Sequence, residues 1–249
     1  MTNVVAVVQA RMGSTRLPGK VLRPVLGRPL LDYLVQRLGR ARRVSALTIA
    51  TSTNPADDAI VEYCRQAGAP CVRGDELDVL ARYHQAARAA SAEVVVRVTA
   101  DCPLLDPAVV DLVVERFLRG DVDYASNTMV RSYPRGLDVE VFSMSALELA
   151  FSEAREPAER EHVTPFIWRR PERFRLANVV HATDQSRYRW TVDADADLEL
   201  IRRMLEALYP DRGVEFDLDD CLALMARHPD WIHLNAHVEQ REAAETRRA

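Results

Sequence analysis

The segment VVAVVQARMGSTRLPGK, residues 4–20, decides how the chain is read. Val4 to Val8 form an apolar, β-branched run of strand length. The run empties into a turn carrying Gly13, Gly19 and the cations Arg11, Arg16 and Lys20. Open α/β sheets bind ligands at the carboxyl ends of their strands, so this turn is a candidate phosphate site. Arginine forks match phosphate oxygens bidentately, and three cations suit a triphosphate of about four negative charges. On residues alone, a solvated surface turn is an equal alternative. The turn is not a Walker A loop. Gly13 and Gly19 are separated by five residues where that motif has four, and Val21 follows Lys20 where a metal-binding hydroxyl is required. The dinucleotide pattern G-x-G-x-x-G is missing as well.

Outward from this stretch, apolar β-branched runs alternate with helical periodicity, which predicts βαβ units and a mostly parallel sheet. Pro29 is expected in the first turn of a helix carrying Leu30, Leu31, Leu34, Val35 and Leu38. SALTIATS (45–52) reads as a second strand, and Asn54-Pro55 opens a helix closed by Gly68. Asp75 opens the next helix, which runs to about Ala90. EVVVRVTA (93–100) is the most strand-like run, and Asp106-Pro107 begins another helix. DVDYASNT, LDVEVFSM and FRLANVV read as strands separated by the loop VRSYPRG and a helix ending near Trp168. RYRWTV reads as a strand passing into a helix that stops before Pro210. The economical organisation is one domain over residues 1–235 with an inserted lobe over roughly 126–185. Residues 236–249 form a charged tail, expected to be a frayed or partner-dependent helix.

With 249 residues, 48% of them hydrophobic, the chain can bury a sizeable core. A net charge of −4 provides no global field for nucleic acid or an anionic membrane. Cys64, Cys71, Cys102 and Cys221 form no C-x-x-C pair, which points to reduced thiols in the cytoplasm. The first apolar run is too short for a signal or a membrane span.

Two aspartates follow strands without an evident structural duty. Asp101 lies just past the strongest strand, where Asp106 is better placed to cap the following helix. Asp193 ends RWTV ahead of the helix expected near Asp197.

QARMGSTRLPGK resembles the N-terminal signature of the cytidylyltransferases that activate acidic sugars, namely the 3-deoxy-manno-octulosonate and acylneuraminate enzymes. The resemblance is strongest to their spore-coat polysaccharide branch. RGDELDVLARYHQAA (73–87), VRVTADCPLLDP (96–107), GLDVEVFS (136–143), EREHVTPFIW (159–168) and RWTVDADADLELI (189–201) follow in order, so the likeness spans roughly residues 3–210. It implies a Rossmann-like nucleotide-diphospho-sugar transferase fold, a mixed and mostly parallel sheet flanked by helices, with the inserted β-containing lobe serving sugar binding and dimerisation.

The resemblance also implies a reaction: CTP and a sugar give CMP-sugar and pyrophosphate, the sugar hydroxyl attacking the α-phosphorus. Asp101 and Asp193 then hold Mg²⁺, while Arg11, Arg16 and Lys20 stabilise the leaving pyrophosphate. Ala10, Gly13, Ser14 and Arg97 complete the expected nucleotide site, with Arg97 free to meet the nucleotide or to pair with Asp101. The expected sugar contacts are Arg131, Tyr133, Arg135, Asp138, Glu140 and His162. His84, Trp190 and Trp231 are assigned to packing. The implied partners are CTP, a small sugar and a second copy of the chain, with residues 136–180 as the contact; neither nucleic acid nor membrane is expected.

The chain departs from the family in two places. Asp195 stands where the usual D-T-P-E-D-L-E has proline, a position where it favours the positive end of the following helix. Arg135 stands where this branch is expected to carry an acidic residue. Three other readings stay open: a sugar 1-phosphate nucleotidyltransferase, a nucleotide-sugar-dependent glycosyltransferase, and a non-catalytic nucleotide-sugar-binding regulator.

Overall fold

In the computed structural model, which describes residues 2–239, the opening apolar run is the centre of the molecule. Strand β1 (Val4–Gln9) is buried from Val4 to Val8. The chain then makes a small antiparallel ribbon, β2 (Pro24–Val25) with β3 (Arg28–Pro29), before helix α1 (Leu30–Leu38). Pro29 is therefore the residue preceding the helix and not part of its first turn.

Strand β4 (Ala46–Ser52), helix α2 (Asp58–Ala67), strand β5 (Cys71–Gly74), helix α3 (Val79–Ala89), strand β6 (Val94–Thr99) and helix α4 (Pro107–Leu118) complete the βαβ half. Asn54 accepts from the Ala56 N–H and Gly68 closes α2 at φ 66°, both as expected from sequence. Asp78, not Asp75, caps α3 by accepting from Ala81 N, while Asp75 is used in the turn before it.

The rest of the chain is β7 (Tyr124–Ser126), β8 (Glu140–Ser143), α5 (Met144–Glu153), α6 (Pro157–His162), α7 (Pro165–Trp168), β9 (Leu176–Asn178), α8 (Asp195–Arg212) and α9 (Leu218–Arg227). The helix expected to end at Trp168 is two short ones, divided at Val163, whose φ is 71°. Pro210 lies inside α8 in place of ending it. RYRWTV is not a ladder strand; it makes a single bridge, Arg135 to Arg189.

The seven-stranded sheet has the order β5-β4-β1-β6-β8-β7-β9. The first four strands are parallel, β8 runs antiparallel to both β6 and β7, and β9 is parallel to β7. The strands of the expected lobe thus extend the main sheet. Alternation along β1 feeds both faces: Val4, Ala6 and Val8 pack with α1, α4 and α8, while Val5 and Val7 pack with α3 and α5. Residues 240–249, most of the expected C-terminal tail, lie outside the described residues.

Candidate active site

At the carboxyl ends of β1 and β6, which lie side by side with Gln9 opposite Thr99, a cleft of about 360 Å³ opens. The turn after β1 is rigidified from within. Ser14 N and Gly19 N both donate to Met12 O, Leu17 N donates to Ser14 Oγ, and Met12 N donates to buried Asp57 at 2.6 Å. Gly19 adopts φ 69°, a conformation that favours glycine. Three of these amides are committed within the loop and the fourth to Asp57, while Arg11, Arg16 and Lys20 supply the turn's cations. Leu17 and Val21 anchor it in the core.

Lys20 is the hub. Its Nζ donates at 2.7 Å to Asp101 Oδ2, at 2.7 Å to Asp193 Oδ1 and at 2.7 Å to the Val192 carbonyl. Burial lowers the Lys20 pKa, but the two aspartates more than offset it, and the ammonium is held above its usual range. Burial likewise pushes Asp101 up. Lys20 and the Thr99 hydroxyl, which donates at 2.6 Å, outweigh it and leave the carboxyl below its usual range.

Asp193 reaches this point because the segment before it is clipped in place. Arg135 N donates to Tyr188 O, Trp190 N donates to Arg135 O at 2.7 Å, and Val192 N donates to Asp101 O at 2.8 Å. Gly136, at φ 101°, permits this close approach; a Cβ there would lie 2.6 Å from the Trp190 carbonyl carbon. Behind Asp193 stands a buried network. Arg189 donates to Asp193 Oδ2 at 2.7 Å and to Asp197 Oδ1 at 2.9 Å. Asp197, fully buried, also accepts from the Asp193 and Ala194 N–H groups and from Asn235 Nδ2 at 2.8 Å. Arg16 closes the other side of Asp193 at 3.0 Å and bonds the Glu239 carbonyl.

Of the residues expected from sequence, Ala10, Arg11, Ser14, Arg16, Lys20, Asp101, Arg135, Asp138, His162 and Asp193 line this one cleft. Burial holds the His162 pKa below its usual range. Gly13, Arg97, Arg131, Tyr133 and Glu140 do not line it, and each has a different surrounding. Gly13 is exposed beside Glu76. Arg97 pairs with Glu140, not Asp101, on neighbouring strands; Glu140 also accepts from Tyr124 Oη at 2.6 Å and Thr164 Oγ1 at 2.5 Å. Arg131 forms a bidentate pair with Asp138 at 2.6 and 2.9 Å. Tyr133 packs in the core against His181. The packing roles expected of His84, Trp190 and Trp231 hold: His84 stacks on Phe151, Trp190 is fully buried and Trp231 stacks on His228.

Sequence reasoning passed over Gln9, Arg82, Thr99, Cys102, Glu161 and Thr191, which also line the cleft, and over the support from Arg189, Asp197 and Asn235. For Arg82 a signal was present. It interrupts the apolar face formed by Val79, Leu80, Tyr83, Ala86 and Ala87.

A doubly flanked α/β sheet with clustered cations and two aspartates at its strand ends defines a phosphate-handling protein of the nucleotide-binding class. Residues 5–213 match the cytidylyltransferase family model, and the chain belongs to that family. Among its relatives is the spore coat polysaccharide biosynthesis protein SpsF of Bacillus subtilis, 34% identical over 92% of this chain and 97% of SpsF. A cytidylyltransferase structure from Leptospira borgpetersenii superposes with a TM-score of 0.89 at 31% identity, covering 97% of this chain and 100% of that one. CMP:2-keto-3-deoxy-manno-octonic acid synthetase, solved with CTP, shares the fold with a TM-score of 0.63 at 17% identity, covering 83% of this chain and 99% of the synthetase. The chain is thus a cytidylyltransferase, a transferase of nucleotidyl groups from CTP. Among the described residues, no helix is long and apolar enough to cross a membrane.

Proposed function

We propose that the protein transfers CMP from CTP to a hydroxyl of an acidic sugar, releasing pyrophosphate, for surface polysaccharide synthesis. The observation that carries this reading is the Lys20 ammonium lodged between Asp101 and Asp193 at 2.7 Å from each, with Arg11 and Arg16 beside it. Two carboxylates that converge on one cation fit Mg²⁺, which is commonly held by one or two carboxylates with substrate phosphate and water. Asp101 and Asp193 would hold it, and it would polarise the phosphoryl group under attack.

The chain's own side chains account for the rest. Arg11, Ser14, Arg16 and Lys20 bind the phosphates and neutralise the charge that builds on the leaving pyrophosphate. Thr99 orients Asp101, and Arg189 with Asp197 orients Asp193. Arg135, Asp138 and His162, which line the same cleft, contact the acceptor. No enzyme nucleophile is required, because positioning and charge stabilisation supply the rate. The reading includes a cytoplasmic homodimer, tested by sedimentation of the purified protein.

The decisive assay combines the protein and Mg²⁺ with each of the four nucleoside triphosphates and a panel of sugar acids and sugar 1-phosphates. Pyrophosphate release with CTP and a sugar acid is the expected result. Pyrophosphate release with only a sugar 1-phosphate moves the activity to another substrate class. CTP that stays intact with every acceptor overturns the proposal.

A further inference from the structure

The cleft contains a second cation of a different kind. Arg82, on α3, is only 2% exposed, yet it is among the cleft-lining residues. Among the described residues its side chain forms no ion pair, and that side chain's single hydrogen bond is a long one, 3.4 Å from Nη1 to the Glu76 carbonyl. Its Nε is buried with no partner. Burial lowers the Arg82 pKa and nearby Arg11 adds to that lowering, while Asp57 and Asp75 act on it only from beyond ion-pair distance. A guanidinium in this state forgoes hydration without a compensating partner, and such a group is costly to bury.

The fold nevertheless makes room for it. Gly74 ends β5 directly against the arginine, and a Cβ there would come within 2.8 Å of Arg82 Cγ. Arg82 also belongs to a different layer from Lys20. Its helix packs on the sheet face that receives Val5 and Val7, whereas Val21, next to Lys20, packs on the face that receives Val4, Ala6 and Val8. The cleft therefore has a cation group at each face of the sheet, one neutralised by aspartates and one left open.

We infer that Arg82, together with exposed Arg11, receives a negatively charged group of the reactants at the α3 wall of the cleft. This inference rests on the proposed function and deepens it: a phosphate of the nucleotide and the acid group of the acceptor are the two sources of that charge. The guanidinium offers its Nε–H and terminal N–H donors to two oxygens of one group, which Lys cannot reproduce.

The test uses the purified full chain with Arg82→Gln, Arg82→Lys and Gly74→Ala, the last displacing the arginine without removing its charge. Calorimetry with Mg²⁺ and CTP, CMP or cytidine is combined with KM for whichever sugar acid the wild type turns over. A roughly ten- to hundredfold loss of CTP affinity in Arg82→Gln, with cytidine unaffected, assigns the group to the nucleotide phosphates. Unchanged CTP affinity with a similar rise in acceptor KM assigns it to the acceptor; either result supports the inference. In both cases Arg82→Lys recovers only part of the loss, and Gly74→Ala, which covers the event that Arg82→Gln does not fold, shows the same pattern. A folded Arg82→Gln variant with wild-type affinity and KM overturns the inference while the function stands. A wild type that binds no nucleotide overturns the function and the inference with it.

Discussion

Where β1 ends beside β6, paired charges line an open cleft; where β6, β8 and β7 meet, charges of the same kinds pair within the sheet. Lys20, Arg16, Asp101 and Asp193 meet at a cleft that a ligand can enter. Arg97, Glu140, Tyr124 and Thr164 bond one another behind the cleft, which the network reaches through the Arg97 bond to Gln9. Both regions draw on charged residues close to strands, and the difference lies in their place along the chain: Arg16, Lys20, Asp101 and Asp193 lie beyond strand ends or in loops, whereas Arg97 and Glu140 lie within paired strands. Buried ion pairs of the second kind contribute little net stability while intact, yet leave a costly unpaired charge when one partner is removed.

The contrast is broken or sharpened by substitutions in each region. Lys20→Ala is expected to lower the rate of pyrophosphate formation by about 10²–10³-fold while leaving the fold in place, as loss of one preorganised charge-stabilising donor does. Steady-state pyrophosphate release with a circular dichroism control checks it. Glu140→Ala should do the reverse. It strands half-buried Arg97 and costs about 3 kcal/mol in urea denaturation, with KM for both substrates unchanged in the folded protein. A stable Glu140→Ala protein with a raised acceptor KM would erase the distinction between the two regions.

Asn235→Ala sharpens the comparison from the supporting side. It removes one donor to buried Asp197, and about 1–3 kcal/mol of stability should go with it. Because Asp197 and Arg189 fix Asp193, a fall in rate should accompany the loss. The smallest effect is expected at His162. Burial holds its folded pKa below the ordinary value of 6.5, so the unfolded chain takes up the proton first as pH falls. Its contribution to stability is therefore complete above pH 6.5 and is lost as pH falls from there through the depressed folded value. Urea midpoints at pH 7.5 and pH 5.5 should show a shallower acid slope in His162→Gln than in the wild type.

Much of this was readable from local pattern. The strand at Val4–Val8, the caps at Asn54 and Asp106, and the closure at Gly68 depend on neighbouring residues only, and they stand as expected. Lys20 and Asp101 were singled out because each follows a strand, and β-strand ends collect on one edge of a parallel sheet, whereas Asp193 was reached through an expected strand that the fold replaces with single bonds. The errors came where the chain answers to distant contacts. Pro210 sits within α8, and RWTV is held by single bonds to Arg135 and Asp101 instead of a ladder.

Sequence by itself determined the βαβ order through α4 and the position of the cationic turn, and the family resemblance assigned Lys20, Asp101 and Asp193 to one site. Tertiary structure decided which charges remained available to a ligand. Arg97 and Arg82 each sit on an element with an apolar face, and nothing local separates them. Strand pairing places Glu140 opposite Arg97, whereas among the described residues no carboxylate lies within ion-pair distance of Arg82. Coulomb energy depends on separation, and in a fold that separation is set by packing between elements far apart in the chain.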